Sequence, residues 1–217
     1  MKDIPMFTTD YGIASLILSE IPYKQIAYIH IRSCTDVNRL MEECVQFCCA
    51  CGAEEVHATG EDLAQTYPAV TTLLEMTCLR EALMPAQACL FPVQEHTLGR
   101  FQQIYNEKMA SVPNTAYLTD ILARQMLQQG DGYFVHMDGK LLGIGRAGAD
   151  TIHAIAAVEK GAGEQVLRAM ASVLTEETVR LIVAQTNTAA MKLYAKMGFL
   201  PVRELSRWYR IFPKEKV

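Results

Sequence analysis

Two short stretches of the chain combine residue types and spacings that could bind an anion and assist a group transfer. Gly161-Ala-Gly163 directly follows an apolar strand and opens a helix. Glycines at such a turn let the backbone approach a phosphate closely, and the free N–H groups of a helix N-terminus attract anions. Lys160 stands beside the turn as a point charge. The stretch is not a dinucleotide fingerprint, because Gly-x-Gly-x-x-Gly would need glycine where Val166 stands, and it lacks the Gly-Lys-Ser/Thr of a P-loop. A plain strand-to-helix turn without a ligand fits the same residues. The second stretch is Asn187-Thr-Ala-Ala-Met-Lys-Leu-Tyr-Ala-Lys-Met-Gly-Phe199. Asn187 is a good N-cap and Gly198 a good residue to end the helix. Leu193 and Met197 face a core, whereas Tyr194, two turns after Asn187, shares its face. Its phenol could serve a groove as an acid, or lie half-buried with a satisfied hydroxyl.

The ordered pair, a Gly-x-Gly turn and then Asn-x-x-Ala-x-x-Leu-Tyr-x-Lys-x-Gly-Phe, resembles the GNAT superfamily of N-acetyltransferases. The resemblance covers Tyr133 to Arg210 and, more loosely, Phe91 to Arg210. It implies a mixed sheet whose two central parallel strands splay apart, with acetyl-CoA as acyl donor in the gap and a primary amine of a small molecule or peptide as acceptor. By this resemblance Ile155, Ala156, Ala157 and Val158 would pair with the pantetheine arm, and Gly161, Ala162 and Gly163 would hold the pyrophosphate. Lys160, Glu164, Asn187 and Met191 complete the expected cofactor contacts, and Tyr194 would protonate the departing thiolate. Direct transfer to an amine passes through a tetrahedral oxyanion that fixed N–H donors stabilise. It needs no covalent nucleophile. A base must still take the amine proton; His153 is the tentative choice, with His136, Asp150 and Glu159 as alternatives. The family loop carries Arg or Gln where this chain has Val158, and here it is shortened, with Glu159-Lys160 in its place. That departure keeps a second reading open: a catalytically inactive acyl-CoA-binding sensor or regulatory module.

The elements that must position these residues read twice in the same order. In the second half, Tyr133–Met137 and Lys140–Arg146 flank Asp138-Gly139, a strong hairpin signal because both turn residues tolerate positive φ. A strand over Thr151–Val158, a helix over Glu164–Leu174, a strand over Val179–Ala184 and the helix bearing Tyr194 follow. In the first half, strands over Ala14–Ile21 and Gln25–Ile31 precede a helix capped by Thr35 or Asp36 and ended at Gly52. A strand over Glu54–Thr59 and a helix around Tyr67–Met76 come next. Between the halves, Phe91–Met109 reads as a strand entering a helix, and Leu118–Gln128 as another helix. The expected architecture is α/β (α+β), a mixed and mostly antiparallel sheet with a splayed parallel pair, flanked by helices. Residues 1–85 form a degenerate N-terminal copy and 86–217 the acetyltransferase domain. The first copy has no glycine pair before its helix and Leu74 where Tyr194 would stand, so cofactor binding is expected in the second copy alone.

Composition sets the outer bounds. The net charge of −4, without a basic cluster beyond the interrupted stretch Arg203–Lys216, argues against nucleic acid. Asp and Glu near a cleft would lean toward a cationic amine. No run reaches the ~20 apolar residues of a membrane helix, and no apolar region follows the start, so a cytoplasmic protein is expected. The seven cysteines all lie in the first 89 residues, four of them within Cys44–Cys51. Cys44 and Cys48 share a helix face and lack the paired Cys-x-x-Cys spacing of zinc sites, so reduced, packed thiols and no metal are expected. A homodimer contact through the degenerate half is left open.

Overall fold

The computed structural model describes residues 5–60 and 63–212. Lys214 and Lys216 of the basic C-terminal stretch lie outside the described residues. The chain divides into two compact units, one of Met1–Leu73 with Glu204–Val217 and one of Leu74–Arg203. The joint expected at residues 85 and 86 thus falls inside the second unit.

The first unit contains β1 (Met6–Thr9), β2 (Gly12–Ile17), α1 (Ile21–Lys24), β3 (Ile26–Cys34), α2 (Val37–Ala50) and β4 (Glu55–Thr59), and it takes in the later part of β11 (Leu200–Phe212). The strand order is β1-β2-β3-β4-β11. Helix α2 starts where Asp36 accepts a hydrogen bond from the Arg39 N–H at 3.1 Å. Its face of Leu40, Met41, Cys44 and Cys48 closes a core with Leu16, Ile29, Val56 and Ile211. Burial pushes the Cys44 and Cys48 thiols up to about 12, so both pack as small apolar groups. The strand expected to run on to Ile21 stops at Ile17, and Pro22 near the start of α1 fits a helix N-terminus.

One expectation fails here. Instead of a helix around Tyr67–Met76, the chain forms β5 (Ala69–Leu79) after a single 3₁₀ turn at Leu63–Gln65. Leu73, Leu74 and Met76 imitate helical spacing. The β-branched run Val70-Thr71-Thr72 and the alternation of Leu74, Met76 and Cys78 toward one core decide for a strand.

The second unit begins within β5 and continues through β6 (Cys89–Pro92), α3 (Leu98–Met109), α4 (Asp120–Gln129), β7 (Gly132–Met137), β8 (Lys140–Ala147) and β9 (Thr151–Ala157). Then come α5 (Gly163–Ala171), β10 (Thr178–Ala184), α6 (Thr188–Lys196) and the start of β11. The strand order from β5 is β5-β10-β9-β8-β7-β6. β6 to β9 pair antiparallel, and β9 pairs β10 in parallel. The hairpin turn lies at Asp138 and Gly139, with φ of 51° and 75°. Helices α5 and α6 cover one face through Val166, Leu167, Met170, Tyr194 and Met197. Helices α3 and α4 cover the other through Phe101, Ile104 and Met126. Gly143 lets α5 settle onto β8 and β9, since a Cβ there would lie 2.5 Å from the Ala156 carbonyl oxygen and 2.7 Å from a Val166 methyl. Both units therefore share a strand–helix–strand crossover, β3-α2-β4 and β9-α5-β10. Among the described residues no helix is long and apolar enough to cross a membrane.

Candidate functional site

The two parallel pairs differ where it matters. β3 and β4 stay in register over five consecutive pairs, from Ile26↔Glu55 to His30↔Thr59. β9 and β10 share only Arg180↔Thr151 and Leu181↔Ile152. Both strands then continue, to Ala157 and Ala184, without each other as ladder partners. Backbone N–H and C=O groups of β9 that face β10 beyond Ile152 are left for another partner.

A β-bulge marks the point of parting. Arg146 is opposite Ala154 and Ala147 is opposite Ile152, so His153 is the extra residue. The bulge turns Ile152 and Ile155 to the same face, toward α5, although three positions separate them. Ile155 and Ala157 then face α5, and Ala154, Ala156 and Val158 face α3. His153 itself is exposed, with its ring over Gly148 in the β8–β9 turn. Nothing in the local sequence signals this bulge.

At the far end of β9 the chain turns into α5. Val158 and Glu159 both donate to the Leu142 carbonyl, which pins the turn, and Ala162 donates to that of Glu159. Gly161 is exposed at φ +85°, with no atom within 4 Å of where a Cβ would point. Ala162 is the N-cap, so the first-turn N–H groups of Gly163, Glu164 and Gln165 have no intrahelical acceptor. This donor set fits a diphosphate. Gly163 also sits against Leu193 of α6, at 3.1 Å for a Cβ, which brings the start of α5 against the later half of α6.

Helix α6 supplies the other wall. Asn187 caps it by accepting from the Ala190 N–H at 3.2 Å; the side-chain amide N–H groups remain available to a ligand. Met191 is half-buried on the α5 side. Tyr194 is only 8% exposed, packed against Phe199 with ring centroids 5.7 Å apart. Burial pushes its phenol up to about 12, so it stays protonated.

The remaining sequence candidates lie elsewhere or are committed. Lys160 and Glu159 are exposed in the turn. Glu164 binds Arg168 at 3.1 Å and Lys196 at 2.8 Å. Hydrogen bonds from Lys196 and then Arg168 hold its carboxyl below the usual range. His136 packs on Phe91 in β6–β7. Asp150 accepts from the Thr151 hydroxyl at 2.7 Å and pairs with Arg180 at 3.0 Å, and these bonds hold it ionised. Sequence reasoning missed Glu75, Arg180 and Arg203. Glu75 accepts from Arg180 at 3.2 Å and from the Arg203 Nε. Among the described residues no cluster of His, Cys, Asp or Glu is placed to hold a metal.

No protein-family model and no curated protein sequence matches the chain. Solved structures do. The fold is similar to that of a conserved protein of unknown function from Staphylococcus epidermidis, with TM-score 0.62, 11% identity and 97% of this chain and 94% of that chain covered. It is similar to a putative acetyltransferase from Pyrococcus horikoshii, with TM-score 0.58, 11% identity, and 94% and 70% covered. It is also similar to a GNAT-family acetyltransferase from Colwellia psychrerythraea, with TM-score 0.52, 12% identity, and 94% and 84% covered.

Proposed function

We propose that this chain, which has the GNAT fold, is an acyltransferase that moves an acetyl group from acetyl-CoA directly onto a primary amine. The observation that carries the reading is the early parting of β9 and β10 at the His153 bulge, ahead of a helix start rich in free N–H groups. The unpaired edge of β9 from Ile155 to Val158 pairs with the pantetheine amides. The turn at Gly161, Ala162 and Gly163, with Lys160 beside it, holds the diphosphate. Asn187 and Met191 line the α6 side. Near the bulge, a β9 N–H donates to the oxyanion that develops as the amine nitrogen attacks the acyl carbon. Tyr194 donates a hydrogen bond to the sulfur as the C–S bond breaks and the electron pair moves onto it. The amine proton leaves through water or the exposed His153 imidazole. The first unit, whose parallel pair remains closed, takes no acetyl-CoA.

Calorimetry with acetyl-CoA, followed by turnover across a panel of primary amines, tests this reading. One equivalent of acetyl-CoA bound per chain, with acetylated product and free thiol in equal amounts, is the expected result. No binding of acetyl-CoA or CoA would overturn it. Binding without turnover would favour the sensor, a reading motivated by Val158 and by the Glu164 carboxylate beside the phosphate turn. That carboxylate gives a separate prediction. Glu164→Gln removes a like charge from the diphosphate site and releases Lys196 and Arg168 to it, so CoA binding tightens several-fold, by about 1 kcal/mol at low salt. Calorimetry at two ionic strengths measures this, and a loss of affinity would instead give Glu164 a direct contact.

A further inference from the structure

On the face of the second unit turned away from α5, charged side chains run in a line across three strands to the turn ahead of a fourth. Val179, Leu181 and Val183 of β10 point into the α5 core, which sends Arg180 and Ile182 to the opposite face. Leu74 and Met76 place Glu75 of β5 on that same face. There Glu75 binds Arg203 of β11 and Arg180 of β10, and Arg180 also binds Asp150 ahead of β9. The four residues read Arg203–Glu75–Arg180–Asp150. The exposure is uneven: the Glu75 side chain is 9% exposed, Arg180 49% and Arg203 67%. An acceptor arriving here meets guanidinium groups, because both Glu75 oxygens are already taken.

The unused donors define what can bind. Arg203 spends its Nε on Glu75, leaving both terminal nitrogens. Arg180 spends Nη1 on Glu75 and Nε on Asp150, leaving Nη2. These are donor-only positions suited to a carboxylate. Arg180 also stands close to the point where β9 and β10 part. Arg180 belongs to the pair immediately before the last one β9 and β10 share, ~7 Å along the strand from the bulge where they part. The donor's phosphates are bound from the α5 side, so the opposite face of the gap is where an amine enters.

From this arrangement we infer that the acceptor is a primary amine carrying a carboxylate, which Arg180 and Arg203 hold while its nitrogen reaches the gap. The inference rests on the acyl-transfer reading above. Arg180 and Arg203 are specificity residues; they take no part in bond making.

The test compares amino acids with their own amides as acceptors, in the intact chain and in Arg203→Gln, Arg180→Gln and Arg203→Lys. Amino acids are expected to show KM values about tenfold or more below those of their amides. Each Gln variant raises KM for the acids by a similar factor, with kcat nearly unchanged and the amides unaffected. Arg203→Lys keeps its charge beside Glu75 and loses the planar fork, so it retains the fold and still weakens the acids. Acids and amides used equally well would overturn the inference, as would variants that weaken both alike. Acetyl-CoA calorimetry on the same proteins separates the failures: intact donor binding without carboxylate preference removes the acceptor assignment alone, whereas absent donor binding removes the reading beneath it.

Discussion

Tyr194→Phe lowers kcat by about two orders of magnitude while the affinity for acetyl-CoA stays within about twofold. The phenol is held at about 12 by burial in the α5–α6 core, far above an ordinary thiol near ~8.5. Complete proton transfer to a departing thiolate is therefore uphill by ~3–4 pKa units, so the role proposed for Tyr194 is mainly a hydrogen bond that strengthens as charge reaches the sulfur. Phenylalanine keeps the contact with Phe199 and the helix packing, which is why ground-state binding is spared. The pH profile gives an independent check. A phenol with pKa about 12 remains protonated throughout the range in which enzymes are assayed, so deprotonation of Tyr194 adds no falling alkaline limb below about pH 11. Steady-state kinetics with calorimetry on the variant measures both terms. An unchanged kcat would remove Tyr194 from the reaction.

Gly143→Ala costs about 2–3 kcal/mol of stability and weakens acetyl-CoA binding about tenfold or more. Its new methyl would meet the Ala156 carbonyl oxygen at 2.5 Å and Val166 at 2.7 Å. Neither can step aside alone, because one is strand backbone and the other is fully buried on α5. Either β9 bends or α5 lifts, and α5 carries the N–H groups proposed to hold the diphosphate. Gly145→Ala is the control. Its methyl meets the side chain of Met170, as close as 2.5 Å, and a flexible thioether can rotate away, so the loss is smaller. Thermal melts of the two variants, with and without acetyl-CoA, give both quantities; equal losses would mean that α5 is free to move.

What the sequence made legible was local chemistry. The Asp138-Gly139 turn, the Asn187 cap, the glycine turn into α5 and the apolar faces of α2 and α5 each follow from a few adjacent residues. The failures needed information from further away. β5 looks helical from its leucines, and only its pairing within a sheet, together with Val70-Thr71-Thr72, decides against that. The His153 bulge has no local signature, since it depends on how β8 and β9 count against each other. Glu75, Arg180 and Arg203 come from three separate strands, with Glu75 and its partners 105 and 128 residues apart. No motif spans such a distance. The contrast between a closed β3–β4 pair and an open β9–β10 pair was likewise invisible, although the proposed function rests on it.

The first unit also takes in the later part of β11, which follows the second unit in sequence. β4 is completed on its far side by Tyr209 opposite Ala58, Arg210 opposite His57 and Phe212 opposite Val56, and Tyr209 and Ile211 fill its core. Synthesis runs from N- to C-terminus, so the first unit is completed only after the second unit has been made. Until β11 is made, β4 has an unpaired edge and a gap in the core beneath it, the state in which a sheet is most prone to pair with the wrong chain. Two units that each held a continuous stretch of chain could mature separately; here β11, made after the second unit, is the closing stitch of the first.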